Sequence, residues 1–571
     1  MDDYKKVSCD VLVIGEGGAG LRAAIEASGK GSYVVLVSKT LLGKAHTVMA
    51  EGGIAAAVAN VDSKDTWQVH FSDTIVEGDY IGDWRMAEIL VKEAPERVYE
   101  LERYGALFDR TPDGRIMQRA FGAHTYRRLC HVGDKTGLEL IRTLEDRILH
   151  SNVSFMDELM ITKLAKRGNR IIGAIGLDLK EGKYAVIESK AVVIATGGGG
   201  KIYKTTSNSK ETTGDGIALA LDAGAELRDM EMVQFHPTGM VYPHGVKGVL
   251  VTEGARGEGG ILLNSKGERF MLRYSPKLKE LDARDVVARA IYNEIKSGNG
   301  TEHGGVYLDV THMSGSFIKK KLPAMYEQFL EFAGVDITKE KMEVAPTVHY
   351  FMGGIGVDPE NCSTSMDGLF AAGEVAGGLH GANRLGGNSL ADILVFGRRA
   401  GSAASDYAGK VKNESIGGNE ISREIKRIRS YLANGKESPY ALIEELRKSM
   451  SMHVGIIRER SGLSQALEDI LKLRKRSGGI GVEGGEKYNQ GLVACIELGF
   501  MLNVAECIVR SALERKESRG AHARSDYPAK KREWKGNIYC KSSRGGISLR
   551  LKEVPEMPAR LGRLVTPERY T

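Results

Sequence analysis

The chain has 571 residues, 27% of them charged and 42% hydrophobic, with a formal net charge of +6. That length exceeds one ordinary domain, the composition excludes a disordered chain, and the charge is spread out, without the concentrated basic stripe of a nucleic-acid binder. No apolar run approaches the roughly 18 residues that cross a bilayer, and the opening "MDDYKKVSCDVLVIG" enters a strand pattern with no signal-peptide core, so a cytoplasmic location is expected.

In chain order, residues 9–14 (CDVLVI) read as a buried strand, followed by GEGGAG from Gly15 to Gly20, a helix in LRAAIEASGK and a second strand in YVVLVSK. Strand, glycine turn, helix and strand are the context in which G-x-G-x-x-G binds a dinucleotide. Gly15 permits the tight turn, Gly17 lets the backbone approach a pyrophosphate, and Gly20 lets helix and strand pack closely. The phosphates would sit on the N–H groups of the helix start. One departure stands out: where an acid usually meets the ribose, this chain has Ser38 and Lys39.

Two further strand–glycine segments, AVVIATGGGG (191–200) and GLFAAGEVAGG (368–378), together with TTGDG (212–216), indicate a large FAD domain rather than a nicotinamide site. The expected organisation is α/β. It comprises an FAD-binding Rossmann-like domain over 1–239 and 346–412, an inserted α+β capping domain over 240–345, a helical domain over 413–530 and a small C-terminal region over 531–571. The helical part shows apolar residues at i, i+3, i+4 spacing in ISREIKRIRSYLA, SPYALIEELRKSMSMHVGIIRE and LVACIELGFMLNVAECIVRSALERK. Such faces are expected to pack on their own chain. No role is assigned to the basic tail.

Six cysteines are scattered without a C-x-x-C, and no H-E-x-x-H occurs, so neither an iron–sulfur cluster nor zinc is expected in this chain. His236 (QFHPTG), His349 (PTVHYFMGG), Arg384 (GANRLGGNSL) and Arg284 (DARDVVAR) sit in site-like settings. Both histidines adjoin turns rather than helix faces, and a guanidinium held in a loop can clamp a carboxylate through two parallel hydrogen bonds. With an FAD domain, they suggest a pocket for an anionic substrate facing a flavin. His46, in KAHTVMAEGG, is a lone imidazole of a kind that is most often structural.

The motifs HTVMAEGGIAAA, ATGGGG, TTGDG, QFHPTG, TEGARGEGG, GERF, RDVVAR, PTVHYFMGGI, FAAGEV, HGANRLGGNSL and SRGAHARSDYP, in order from about residue 7 to 534, closely resemble the succinate dehydrogenase/fumarate reductase flavoprotein family. Only the tail departs from that pattern. The resemblance implies that Gly15, Gly17, Gly18, Ala19, Gly20, Ser38, Lys39, His46, Thr47, Gly53, Ala195, Thr196, Gly197, Asp215, Glu374, Ser389 and Leu390 hold FAD. In the family the histidine at position 46 can carry a covalent bond to the flavin 8-methyl group; some members keep FAD without it. Such a bond would raise the flavin potential, which oxidising succinate needs more than reducing fumarate.

The resemblance further implies that Gly52, Phe121, His236, Thr252, His349 and Arg384 line the C4-dicarboxylate site. Arg284 would deliver the proton, and Glu253 and Arg256 would resupply it. The residues alone favour a histidine for that role, because arginine stays protonated. The expected activity is interconversion of succinate and fumarate by hydride transfer to or from FAD. The alternative is L-aspartate oxidase, which characteristically lacks the flavin-linking histidine. A flavin subunit without turnover would be expected to lose part of the His236, Arg284, His349 and Arg384 set. Glu51, in place of glutamine, looks more like fumarate reductases. The resemblance also implies an iron–sulfur partner subunit, with a membrane-anchor or thiol-oxidising subunit beyond it, and a position peripheral to the inner face of the cell membrane.

Overall fold

The computed structural model describes residues 4–433 and 435–568; the ends of the N- and C-terminal ranges expected above (1–3 and 569–571) lie outside the described residues. Strand Tyr4–Ile14 lies between Val34–Val37 and Lys183–Ile194, parallel to both. Val153–Met156 continues the sheet beyond Val34–Val37, and Leu369–Ala371 runs parallel to the end of Lys183–Ile194. An antiparallel hairpin, Leu159–Arg167 with Arg170–Asp178, completes the seven strands.

The sheet is covered on both faces, so its strands read as continuous apolar runs instead of alternating ones. Val11 and Val13 join a cluster with helices Gly18–Gly29 and Asn388–Ala408. Leu12 and Ile14 face the opposite cluster, which contains helix Asp215–Ala223 and the helical region. Ile14, Ile194 and Ala371 are in register across three adjacent strands. The three glycine segments, up to some 350 residues apart in sequence, therefore emerge side by side at one edge of the sheet.

The intervening segment has its own core, from Met240 to Val344. Its antiparallel sheet runs in the order Val233–Met240, Met342–Phe351, Val306–Asp309, Ile261–Leu263. The paired strands Val233–Met240 and Met342–Phe351 carry the chain into the cap and out of it, and each places site residues at the junction.

Helices Gly418–Arg429, Pro439–His453, Arg460–Ser477 and Gln490–Glu514 follow. Their apolar residues (Ile421, Leu446, Ile470, Leu498) share one cluster with the FAD-domain sheet, so these faces pack on their own chain. Gln490–Glu514 departs from the expectation that no segment is apolar enough to span a bilayer. Its best 18-residue window has mean hydropathy 2.0, but 83% of that window is buried inside the protein. It is apolar all round because protein surrounds it.

The tail forms a hairpin, Gly536–Ser543 with Gly546–Glu553, added to strand Leu227–Arg228. Leu561 then packs into the cluster beside the nucleotide helix.

Candidate active site

One long cavity runs from the glycine loop at the end of strand Tyr4–Ile14 to His236 and Arg284 at the edge of the cap. At its first end Gly15 has φ +108°, and a Cβ there would lie 2.4 Å from the Ala195 carbonyl oxygen. A Cβ on Gly20 would lie 1.8 Å from the Gly15 oxygen; Gly20 does not line the cavity and acts by letting the helix close onto the loop. The N-cap of helix Gly18–Gly29 is Gly17, with no side-chain cap and no acid in the first turn. Its N–H groups are therefore left for a ligand, apart from that of Gly18, which donates to Thr47 Oγ1 at 3.3 Å. Uncapped N–H groups with a positive dipole end suit a pyrophosphate.

Along the same cavity lie Ser38, Lys39, Gly53, Ala195, Thr196, Gly197, Asp215, Glu374, Ser389 and Leu390. Lys39 is engaged by Asp215 and Glu497, each at 2.8 Å, a pairing with no signal in the sequence. Glu374 accepts the Phe351 N–H at 2.9 Å, and burial pushes its carboxyl up to about 7.

His46 opens a short 3-10 turn, His46–Met49. The Ser209 N–H donates to its Nδ1 at 3.3 Å, and the Asn208 amide nitrogen lies 3.1 Å from its Nε2. Burial, then the Lys201 ammonium, holds the ring's pKa down to about 4, so it is a neutral imidazole at pH 7. These residues fit FAD: a glycine loop closed so tightly that Gly15 and Gly20 admit no Cβ, open helix N–H groups, and a long cavity with an apolar stretch at Leu159 and Ile161.

At the other end, His236 and His349 lie on the neighbouring strands Val233–Met240 and Met342–Phe351. Bulges follow Gln234 and His236, and the two ring centroids are 5.1 Å apart. His236 Nδ1 faces the Thr238 carbonyl at 3.0 Å and the Thr238 N–H at 3.2 Å, and Ser207 Oγ engages His349 Nδ1 at 2.8 Å. Burial keeps both rings well below the usual histidine range; Arg284 adds to this for His236, and His236 for His349.

Arg384, in the loop before helix Asn388–Ala408, sits over the Tyr350 ring at 4.2 Å. It spends one N–H on Ser389 Oγ at 3.0 Å, and its Nε has no partner among the described residues. Burial, then repulsion from Arg284, lowers its pKa to about 9. A buried cation with unused donors is a receptor for an anion. Thr252 caps the short helix Glu253–Gly257. Gly52 faces Phe121, whose Cζ would be 2.9 Å from a Cβ there.

Arg284 begins helix Arg284–Glu294. Its Nε donates to Glu253 Oε2 at 2.8 Å and its Nη1 to Gln234 Oε1 at 3.2 Å. Glu253 also accepts the Gly122 N–H at 2.8 Å and lies 3.7 Å from Arg256. Burial alone would raise the Glu253 carboxyl, but the Arg284 and Arg256 guanidiniums outweigh it and hold it at about 2. Arg256 does not reach the cavity: it stands behind Glu253 and donates to the Glu280 carbonyl.

Apart from Gly20 and Arg256, every residue expected at the site lines this cavity. Other residues bear on it that were not expected. Gln234, fully buried, donates to the Asn383 side chain at 2.8 Å and to the Arg384 carbonyl at 2.9 Å while accepting from Arg284. It ties the cap's arginine to the loop of the second one. Gln234 stands two residues before His236, but the bulge after it breaks the strand alternation, so no sequence period places it at the site. Arg119 braces the Glu51–Gly52 loop by donating to the Gly52 carbonyl at 2.8 Å. Glu16 and Glu211 line the cavity itself.

Residues 10–390 match a family model described as an FAD binding domain, and residues 443–561 one described as the fumarate reductase flavoprotein C-terminus. The chain is 50% identical to a fumarate reductase (CoM/CoB) subunit of Methanothermobacter marburgensis, over 93% of its length and 96% of the relative's. It is 42% identical to the succinate dehydrogenase flavoprotein subunit of Coxiella burnetii, over 92% and 93%. A solved FrdA chain of E. coli quinol fumarate reductase superposes with a TM-score of 0.93 at 35% identity, covering 97% of this chain and 98% of that one.

Proposed function

We propose that this chain, which belongs to the succinate dehydrogenase/fumarate reductase flavoprotein family, is the FAD-dependent catalytic subunit that interconverts succinate and fumarate. The observation that carries this reading is the Arg284–Glu253–Arg256 chain, whose front member opens into a pocket with two neutral histidines and an underused Arg384. FAD, held by the glycine cradle and the residues beside it, supplies hydride acceptance and donation at the pocket. His46 is neutral and lines the cavity, and a covalent link from its ring to the flavin 8-methyl group belongs to this proposal.

His236, His349, Thr252 and Arg384 hold the two carboxylates: neutral imidazoles donate from Nε2, and Arg384 offers charge. Clamping both ends fixes the reacting carbons and twists a carboxylate out of conjugation. Arg284 gives a proton to one substrate carbon during fumarate reduction and takes it back during succinate oxidation. Glu253, held ionised at rest by its two arginines, is placed to return a proton to Arg284, with Arg256 standing 3.7 Å behind it as the source.

The electron partner is an iron–sulfur subunit, through which the chain lies peripheral to the inner face of the cell membrane. The fumarate reductases it resembles are named for different carriers, CoM/CoB and quinol, so the family does not fix the carrier beyond. The test follows flavin absorbance near ~450 nm. Succinate should bleach the oxidised protein, fumarate should restore the reduced protein, and L-aspartate should do nothing; bleaching by aspartate instead would make the chain an amino-acid oxidase.

A further inference from the structure

The strand end where a dinucleotide-binding chain usually offers an acid to the ribose carries no carboxylate here. Ser38 occupies it, its hydroxyl turned to Thr40 at 3.3 Å, and Lys39 is drawn to Asp215 and Glu497. A carboxylate stands one strand away. Glu16 is the residue between the first two glycines of the loop. The Gly15 N–H donates to the Val37 carbonyl at 2.8 Å, and Ile14 pairs with Val37, so Glu16 and Ser38 leave adjacent strands at the same level.

Glu16 is only 2% exposed and lines the cavity; its carboxylate oxygens receive no N–H from the described residues, and the Asp157 carboxyl is the one polar side chain within hydrogen-bond reach. A buried carboxylate that receives no N–H is costly unless something else donates to it. Burial, then Asp157 and Glu145, pushes it up to about 9 in the protein alone; Lys44, the nearby cation, acts on Glu145.

The ligand group that fits is one with two adjacent hydroxyl donors. The apolar Leu159 and Ile161 on the same cavity suit the flat face of a base. We propose that Glu16 supplies, from the glycine loop, the carboxylate that accepts the ribose hydroxyls of the adenosine half of FAD, replacing the acid that Ser38 lacks. This rests on the FAD reading above.

The test is binding, not turnover. In the His46→Ser background FAD is exchangeable, and its affinity is measured by fluorescence titration alongside the 2′-deoxy- and 3′-deoxyadenosine analogues of FAD. Loss of a hydrogen bond to a charged acceptor corresponds to roughly ten- to hundredfold in affinity. At least one analogue should bind weaker by that factor. Adding Glu16→Ala should weaken FAD similarly and erase the difference between FAD and the analogue.

FAD and both analogues binding His46→Ser protein equally would overturn the proposal without any second variant. So would an analogue penalty that persists undiminished in Glu16→Ala. Failure of His46→Ser protein to take up FAD at all would instead sink the FAD reading, and the proposal with it.

Discussion

Replacing Arg284 with lysine tests the proton route most directly. The guanidinium uses Nε on Glu253 at 2.8 Å and Nη1 on Gln234 at 3.2 Å, which leaves Nη2 toward the pocket near Gly386. A lysine has one nitrogen for these three directions. Paired with Glu253 it cannot also reach a substrate carbon; turned to the substrate it leaves Glu253 facing Arg256 alone. Loss of a positioned general acid costs about 10²–10⁴ in rate, and misplacement of the reacting groups adds about 10². Arg284→Lys should therefore lower kcat for fumarate at least about 10³-fold, roughly 4 kcal/mol of transition-state stabilisation. KM should change only severalfold, because His236, His349, Thr252 and Arg384 remain. Stopped-flow reoxidation of the reduced flavin by fumarate reads this directly, and the unreacted absorbance spectrum reports intact FAD. A variant that keeps a tenth of wild-type kcat would refute the assignment of Arg284 as proton donor.

Three other outcomes follow from the same geometry. His46→Ser should release FAD on denaturation, where the wild type retains flavin on the denatured chain. It should also slow succinate oxidation more than fumarate reduction; equal losses would discard the redox argument for the link. Gln234→Leu removes the amide that joins Arg284 to the Arg384 loop and leaves both arginines less fixed. The expected result is a fall in kcat of roughly tenfold to a hundredfold with FAD binding intact, and an unchanged kcat would show that the tie is dispensable. Glu253 is held at about 2 against an ordinary 4.5, so its folded-state pKa is depressed. The stability it contributes, roughly 3 kcal/mol at pH 7, is fully present above 4.5 and lost as pH falls through 2. Urea unfolding should then show the wild type's advantage over Glu253→Gln narrowing by about 2 kcal/mol between pH 7 and pH 3; a constant gap would contradict the charge balance proposed for the relay.

Features that depend on short-range constraint are legible in the amino-acid sequence. Gly15 and Gly20 are readable because a tight turn and a close helix contact demand glycine locally, whatever the rest of the chain does. The buried parallel strands are readable because burial on both faces forces an unbroken apolar run. The family motifs around His236, His349 and Arg384 carried the rest. Which side chains meet is a matter of packing. Arg284 and Arg384 come from a cap helix and an FAD-domain loop, and only the folded chain shows that a single buried amide, Gln234, spans them. Lys39 stands where an acid usually meets the ribose, and only the fold shows that Glu497, 458 residues away, pairs with it. Helix Gln490–Glu514 could be told from a membrane span only by the protein wrapped around it. Charge and hydrogen-bond pairing act through space with no sequence period, so partners hundreds of residues apart leave no local trace until the fold brings them within 3 Å.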